Sequence, residues 1–287
     1  MRTSLDHLPA MRRGQLLDIA KIVARALRPE KIILFGIFAS EGIGMDDPVR
    51  GSPAFLAGYE LLVVTRKGDK RYDFEIQDMI ENRCRVRTPV TVWVHDINYV
   101  NDQLSAGHYF FSMLDREGIL LYDAGNIPLS AGAAPDLAHI KAVAEKDFEQ
   151  WWRRARAFFR SVQFNRQEKE WKIAVFLLHQ AAESAYQAIL LSFTGYKPCT
   201  HNLDKLRRYT NRFSIELATL FSRDEPEEDR LFKLLLQGYV DARYRDEYTI
   251  TEEELGLLTE RISRLLSIAV RICRNRFISL DRMRVAG

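Results

Sequence analysis

The sequence predicts an α+β chain in two parts, an N-terminal mixed sheet with helices followed by an all-α, up-down helical bundle. Three observations carry this. Apolar runs of strand length at Lys31–Phe35, Tyr59–Thr65 and Val90–His95 alternate with helical patterns. Residues 124–135, AGNIPLSAGAAP, have the small-residue, Gly and Pro composition of a linker. From Asp136 to about Phe277 apolar residues recur at three and four with almost no strand signal. The expected division is 1–125, a linker at 126–135, and 136–287.

Taken in order, the first helix spans residues 9–28, with Pro9 in its first turn, an apolar face of Leu16, Ile19, Ala20, Val23 and Leu27, and Pro29 as its stop. The first strand runs from Lys31 to Phe35, with Gly36 at a turn. Residues 41–57 hold three glycines before Gly58 and two prolines, the pattern of a long irregular loop. The second strand, a helix over residues 72–83 and the third strand follow. Asp96 is placed to cap a helix through Val100 and Leu104. Tyr109–Met113 reads as a helical turn with core aromatics, and Gly118–Tyr122 as a buried strand.

Five helices are expected beyond the linker. They are about 137–164, 169–193, 202–213 with a possible extension to Phe221, 227–239 and 251–277. Gly195 takes the place of a C-terminal glycine cap. Thr251 and Glu254 form a capping-box start. Antiparallel packing gives a bundle.

The chain of 287 residues has 47% hydrophobic and 28% charged residues and a net charge of +3, values of an ordinary globular protein. Residues 1–130 hold 16 basic and 17 acidic side chains, so the basic excess lies in the second half. It is too modest to demand a nucleic-acid partner. Cys84, Cys199 and Cys273 have no zinc spacing and suit a reduced, cytoplasmic setting. No apolar run reaches 18 residues and no signal-peptide core stands at the start, so no membrane partner is expected.

The region from Lys31 to Val64 resembles the DNA polymerase beta-type (MNT-like) nucleotidyltransferases. KIILFG is followed by Ala39, Ser40 and Gly42, and GYELLVV begins a second strand. The family pattern is G-S-x-A-x-G, then two aspartates two apart on the next strand, then a third acid one strand later. Here Ile37 stands at the serine position, Gly58 and Glu60 at the aspartates, and Thr91 at the third acid. The resemblance therefore implies vestigial transferase positions at Gly36, Ser40, Gly58, Glu60 and Thr91, with no catalytic residue among them. One carboxylate cannot cage two divalent metals. No metal site and no cofactor are expected, and Mg2+ would matter only if transferase activity remained. Ala106–Gly125, with its YFF and EGILLYD, continues the likeness.

The helical half resembles the HEPN superfamily. LLHQAAESAYQAILL, GYKPCTHNLDKL and DARYRDEYTITEEEL match the second helix, the link into the third, and the segment before the last helix, in order. The two resemblances together imply a fusion of a degenerate nucleotidyltransferase domain with a C-terminal HEPN domain. Many HEPN domains are metal-independent ribonucleases with R-x4–6-H near the last helix. Here Tyr248 stands at the fifth place after Arg243 and no histidine follows His201. In R-x4-H-x-Y systems the tyrosine is modified; its place here is Ile250.

The expected function is therefore binding of a nucleotide or RNA by a pseudoenzyme. The alternatives are a metal-independent HEPN ribonuclease with an unusual catalytic set, or a residual nucleotidyltransferase of a toxin–antitoxin-like system. The candidate binding residues are Arg243, Tyr244, Arg245 and Tyr248, aided by the helix N-terminus that follows, with His179 and Glu183 on the second bundle helix. Glu183 lies four residues beyond His179 and is placed to pair with it. The more ordinary reading of His179 is a partly buried histidine hydrogen-bonded inside the bundle, and that of His201 a structural residue at the entrance to the third helix; Tyr248 has the alternative of packing in the core. The arginines of WWRRARAFFR and of the Leu206-Arg207-Arg208 turn read as solvated. A homodimer is expected from Trp151, Trp152, Phe158 and Phe159, aromatics beyond a single stripe.

Overall fold

The computed structural model of the chain describes residues 1–39, 57–84, 88–133, 136–198, 200–222, 225–245 and 247–286. Ser40, Cys199 and nearly all of the loop expected at 41–57 lie outside the described residues. The chain divides into two compact units, Met1–Asp136 and Leu137–Gly287.

The first unit runs α1 (Ala10–Leu27), β1 (Lys31–Ala39), β2 (Ala57–Thr65), α2 (Asp73–Cys84), β3 (Val90–Asp96), α3 (Ile97–Ser105), α4 (Tyr109–Glu117) and β4 (Ile119–Asp123). The sheet order is β3-β2-β1-β4. β1 is antiparallel to β2 and β4, whereas β2 and β3 are parallel, so the sheet is mixed. The parallel pair is possible because α2 carries the chain across between its strands.

Strand alternation gives the sheet two apolar faces. Ile32, Leu34, Leu61, Val63, Val92 and Val94 pack with Leu16, Val23, Ile76 and Ile80 of α1 and α2. On the other face Trp93 meets Phe35 and Phe110, with ring centroids 5.1 and 4.5 Å away. α3 starts as expected, because the Asp96 carboxylate accepts from the backbone N–H groups of Asn98 and Tyr99.

Two expectations in this unit are corrected. β1 does not turn at Gly36; it continues to Ala39, pairing Gly36 with Glu60 and Ile37 with Tyr59. β2 begins early enough to offer partners along this whole length, and the glycine marks a register shift after Leu34 rather than a turn. β4 is not a wholly buried strand: Ile119 is buried, and Leu120, Leu121 and Tyr122 are half-buried. It lies at the end of the sheet, where Arg2 pairs with its outer side: Arg2 N–H donates to Gly118 O and Leu120 N–H to Arg2 O.

The second unit is helical: α5 (Leu137–Gln167), α6 (Trp171–Thr194), α7 (Leu203–Asn211), α8 (Ile215–Thr219), α9 (Pro226–Gln237), α10 (Asp241–Tyr244) and α11 (Glu252–Ala286). α6 is the central element, touching α5, α7, α9, α10 and α11. A single apolar stripe is too narrow for it, since every residue from Ala181 to Ser192 is buried. Its alanines let the neighbouring helices close in on several sides. Gly195 ends α6 in the left-handed region, φ 67°, with its N–H donating to Leu191 O. The expected third helix is two, because Ser214 breaks the run and caps α8 by accepting from Glu216 N–H.

α11 opens with the capping box. Thr251 Oγ1 accepts from Glu254 N–H and the Glu254 carboxylate accepts from Thr251 N–H. The arginines at 153, 154, 156 and 160 are exposed as expected. Arg207 is not: it is 1% exposed. Its guanidinium donates to Phe221 O at 2.8 Å, faces Asp204 at 3.5 Å and lies 5.1 Å from the Phe232 ring. A buried guanidinium of this kind is held by hydrogen bonds and stacking rather than by water. Trp151, Trp152, Phe158 and Phe159, the residues behind the dimer expectation, pack half-buried against their own bundle.

Candidate phosphate-binding site

In the first unit the strand register aligns Gly36, Glu60 and Thr91 across β1, β2 and β3. Glu60 is 3% and Thr91 1% exposed, so this row is closed. The Glu60 side chain lies over Gly36: a Cβ there would overlap Oε2 and stand 2.9 Å from Cδ. Gly58 pairs with Phe38 further along β2, and Ile37 is exposed. Among the described residues this row holds one carboxylate, Glu60, flanked by a glycine and a threonine. Among the described residues no group of three or more His, Cys, Asp or Glu side chains is placed to hold a metal.

In the second unit several expected residues converge, and Tyr239 is the platform they share. His179 on α6 stacks on Tyr239 with centroids 4.9 Å apart, and His201, just before α7, lies 5.9 Å from the same ring. The Arg243 guanidinium of α10 sits 4.6 Å from Tyr239, 5.0 Å from Phe176 and 4.9 Å from Tyr244. Its Nε donates to Tyr239 O at 2.5 Å. Arg243 is exposed, and no carboxylate among the described residues pairs with it. Cation–π contacts of this type each contribute about 0.5–1 kcal/mol at exposed sites.

Glu183 does not pair with His179. Its Oε1 accepts from His201 Nδ1 at 2.8 Å, and its Oε2 accepts from Gln180 at 3.3 Å. The carboxylate is buried while the His201 side chain is 70% exposed. His179 is 1% exposed, and its polar contact is with Gln180 through Nδ1 at 3.4 Å. Burial, with the nearby His201 and Arg243 charges adding to it, pushes its pKa down to about 3. It is a neutral stacking residue.

The other expected residues divide. Tyr244 is 74% exposed beside Arg243. Arg245 is exposed but ion-paired with Asp241 at 3.1 Å. Tyr248 is 7% exposed and donates its hydroxyl to Leu234 O at 3.1 Å, so it serves the core. Burial holds that phenol in its neutral form. The α11 N-terminus is also closed to an anion, by its capping box and by Glu252, Glu253 and Glu254 in its first turn. Sequence reasoning missed Tyr239 and Phe176. Both had a spacing signal: Tyr239 is four residues before Arg243, and Phe176 three before His179 on the same helix.

Residues 148–273 match the HEPN domain. No curated protein matches the chain. Among solved structures it is similar to a nucleotidyltransferase-like protein from Exiguobacterium sibiricum, at 13% identity over 93% of this chain and 80% of that chain, with a TM-score of 0.29. The bundle that presents Arg243, His179 and His201 on one tyrosine is thus the part of the chain that matches the HEPN domain, and it follows a mixed α+β unit in the sequence.

Proposed function

We propose that this chain binds a phosphate-bearing ligand, a nucleotide or an RNA strand, at Arg243. The sheet unit then acts as a nucleotidyltransferase-like scaffold without two-metal chemistry. One observation carries the proposal: an exposed guanidinium, with no carboxylate partner among the described residues, lies 4.6 to 5.0 Å from the centroids of three aromatic rings. Its Nε is engaged by Tyr239 O, which leaves the two terminal nitrogens for a bidentate phosphate contact. Because the rings fix the fork beforehand, little side-chain entropy is lost on capture. The exposed ring of Tyr244 stands beside it for a base, a contact that contributes about 1–3 kcal/mol where stacking is made. Cys84 and Cys273, both buried free thiols, accord with a reduced cytoplasmic setting.

Fluorescence anisotropy with a labelled oligonucleotide, competed by mononucleotides, tests this. Arg243→Ala is expected to weaken binding about tenfold or more, while the melting temperature moves by only a few degrees because the side chain is exposed. Competition decides between nucleotide and strand. Wild-type affinity in Arg243→Ala would overturn the proposal.

A further inference from the structure

The turn from β2 into α2, residues 66–74, carries side chains that neither the core of the sheet unit nor the Arg243 site uses. Its backbone is fixed by local chemistry. Gly68 takes a left-handed φ of 78°, and Asp69 N–H donates to Arg66 O at 3.3 Å. The Asp69 carboxylate accepts from the Arg71 backbone N–H and from its guanidinium. The Glu75 carboxylate accepts from Tyr72 N–H at 3.1 Å. Tyr72 is therefore held on both sides, and its ring stacks on that of Phe74 with centroids 5.5 Å apart and planes tilted by 12°. Aromatic pairs that serve stability bury their area. This pair does not: Tyr72 is 67% and Phe74 51% exposed.

The charge beside the rings is one-sided. Residues 66–74 hold four basic and two acidic side chains. Arg71 is taken by Asp69, and Arg66 reaches Glu30 at 3.6 Å. Lys67 and Lys70 are exposed, and no carboxylate among the described residues pairs with either. The segment has no aliphatic side chain, so it offers an apolar protein face little to bury. Flat faces between lysines match bases joined by phosphates.

We propose that this turn binds single-stranded nucleic acid, with bases stacked on Tyr72 and Phe74 and phosphates neutralised by Lys67 and Lys70. The site does not rest on Arg243. Stacking of this kind is tolerant of sequence and does not read the 2′ hydroxyl, so RNA and DNA strands bind it alike.

The full chain is titrated by anisotropy with a labelled strand of about ten nucleotides, as RNA and as DNA. Tyr72→Ala with Phe74→Ala should weaken binding of both about tenfold or more, in the parent and in Arg243→Ala alike. Tyr72→Phe, which keeps the ring, should bind as the parent does. Lys67→Ser with Lys70→Ser should flatten the dependence of log affinity on log salt by roughly 0.7 for each lysine lost. All four side chains are exposed, so the melting temperature should hardly move. Parental affinity in the double ring variant overturns this inference and leaves the Arg243 proposal standing. A halved mass by light scattering in that variant, with strand affinity unchanged, makes a second copy the occupant and overturns it too. Ring-dependent binding that Arg243→Ala leaves untouched sustains this inference and overturns the other. Strands that are not bound at all defeat both.

Discussion

Glu60 lies across Gly36: the two residues are partners in the β1–β2 register, and the glutamate side chain occupies the space a Cβ at position 36 would need. The missing side chain is what allows a buried carboxylate at this point of the sheet.

Gly36→Ala is therefore expected to destabilise the sheet unit by about 1–3 kcal/mol, through displacement of the Glu60 side chain. Placed on a Glu60→Ala background the same change should cost much less, because neighbouring substitutions are not additive. Urea unfolding of the four variants measures this. Equal costs in both backgrounds would show that Glu60 is not the obstacle.

The same packing predicts that Mn2+ finds no pair of sites at Glu60. Its register neighbours, Gly36 and Thr91, supply no second carboxylate. Electron paramagnetic resonance of Mn2+ titrated into the chain should show no bound pair that is lost in Glu60→Gln.

Arg207→Ala should cost roughly 3–5 kcal/mol, since it strips the buried Phe221 carbonyl and Asp204 of a partner. Arg207→Met, which keeps volume on Phe232, should cost less. Chemical denaturation of the helical unit separates the two.

His179 gives the bundle an acid sensitivity. Its folded-state pKa, about 3, lies below the ordinary histidine value of 6.5, so the unfolded chain binds the proton more readily. The stabilisation is complete above pH 6.5 and is lost as pH falls from there toward 3, by up to about 1.4 kcal/mol per pH unit. His95 in the sheet unit, lowered to about 4 by burial, acts in the same direction. His179→Gln should flatten the fall in bundle stability between pH 7 and 5; an unchanged slope would exonerate His179.

A homodimer remains the expectation for the chain in solution. Its apolar contacts would have to come from exposed side chains such as Phe164, 64% exposed, and Ile173, 47% exposed. Light scattering at micromolar concentration should give twice the chain mass, and Phe164→Glu should reduce it.

Most elements were legible because local rules and tertiary packing agree at them. Asp96, Gly195 and the Thr251–Glu254 box end or start helices where their chemistry says they should. β1 was misread at Gly36 because a glycine inside a strand looks like a turn until its partner strand is known. Arg207 was misread because nothing local shows that the Phe221 carbonyl will be beside it. The candidate site was half visible: Arg243 and Tyr244 are adjacent in a recognisable segment, whereas Tyr239 and the Glu183–His201 contact join residues from three different stretches of chain. Such convergence belongs to topology and leaves only a weak trace in spacing.

The two backbone hydrogen bonds that Arg2 makes with Gly118 and Leu120 have a consequence at the rim of the sheet. They occupy backbone groups that would otherwise be open to a strand from another molecule. The first residues act as a selvedge that keeps the sheet from unravelling into its neighbours. Trimming them would leave most of the fold's contacts intact and still raise its tendency to form edge-to-edge aggregates, so solubility rather than melting temperature is where that loss would be felt.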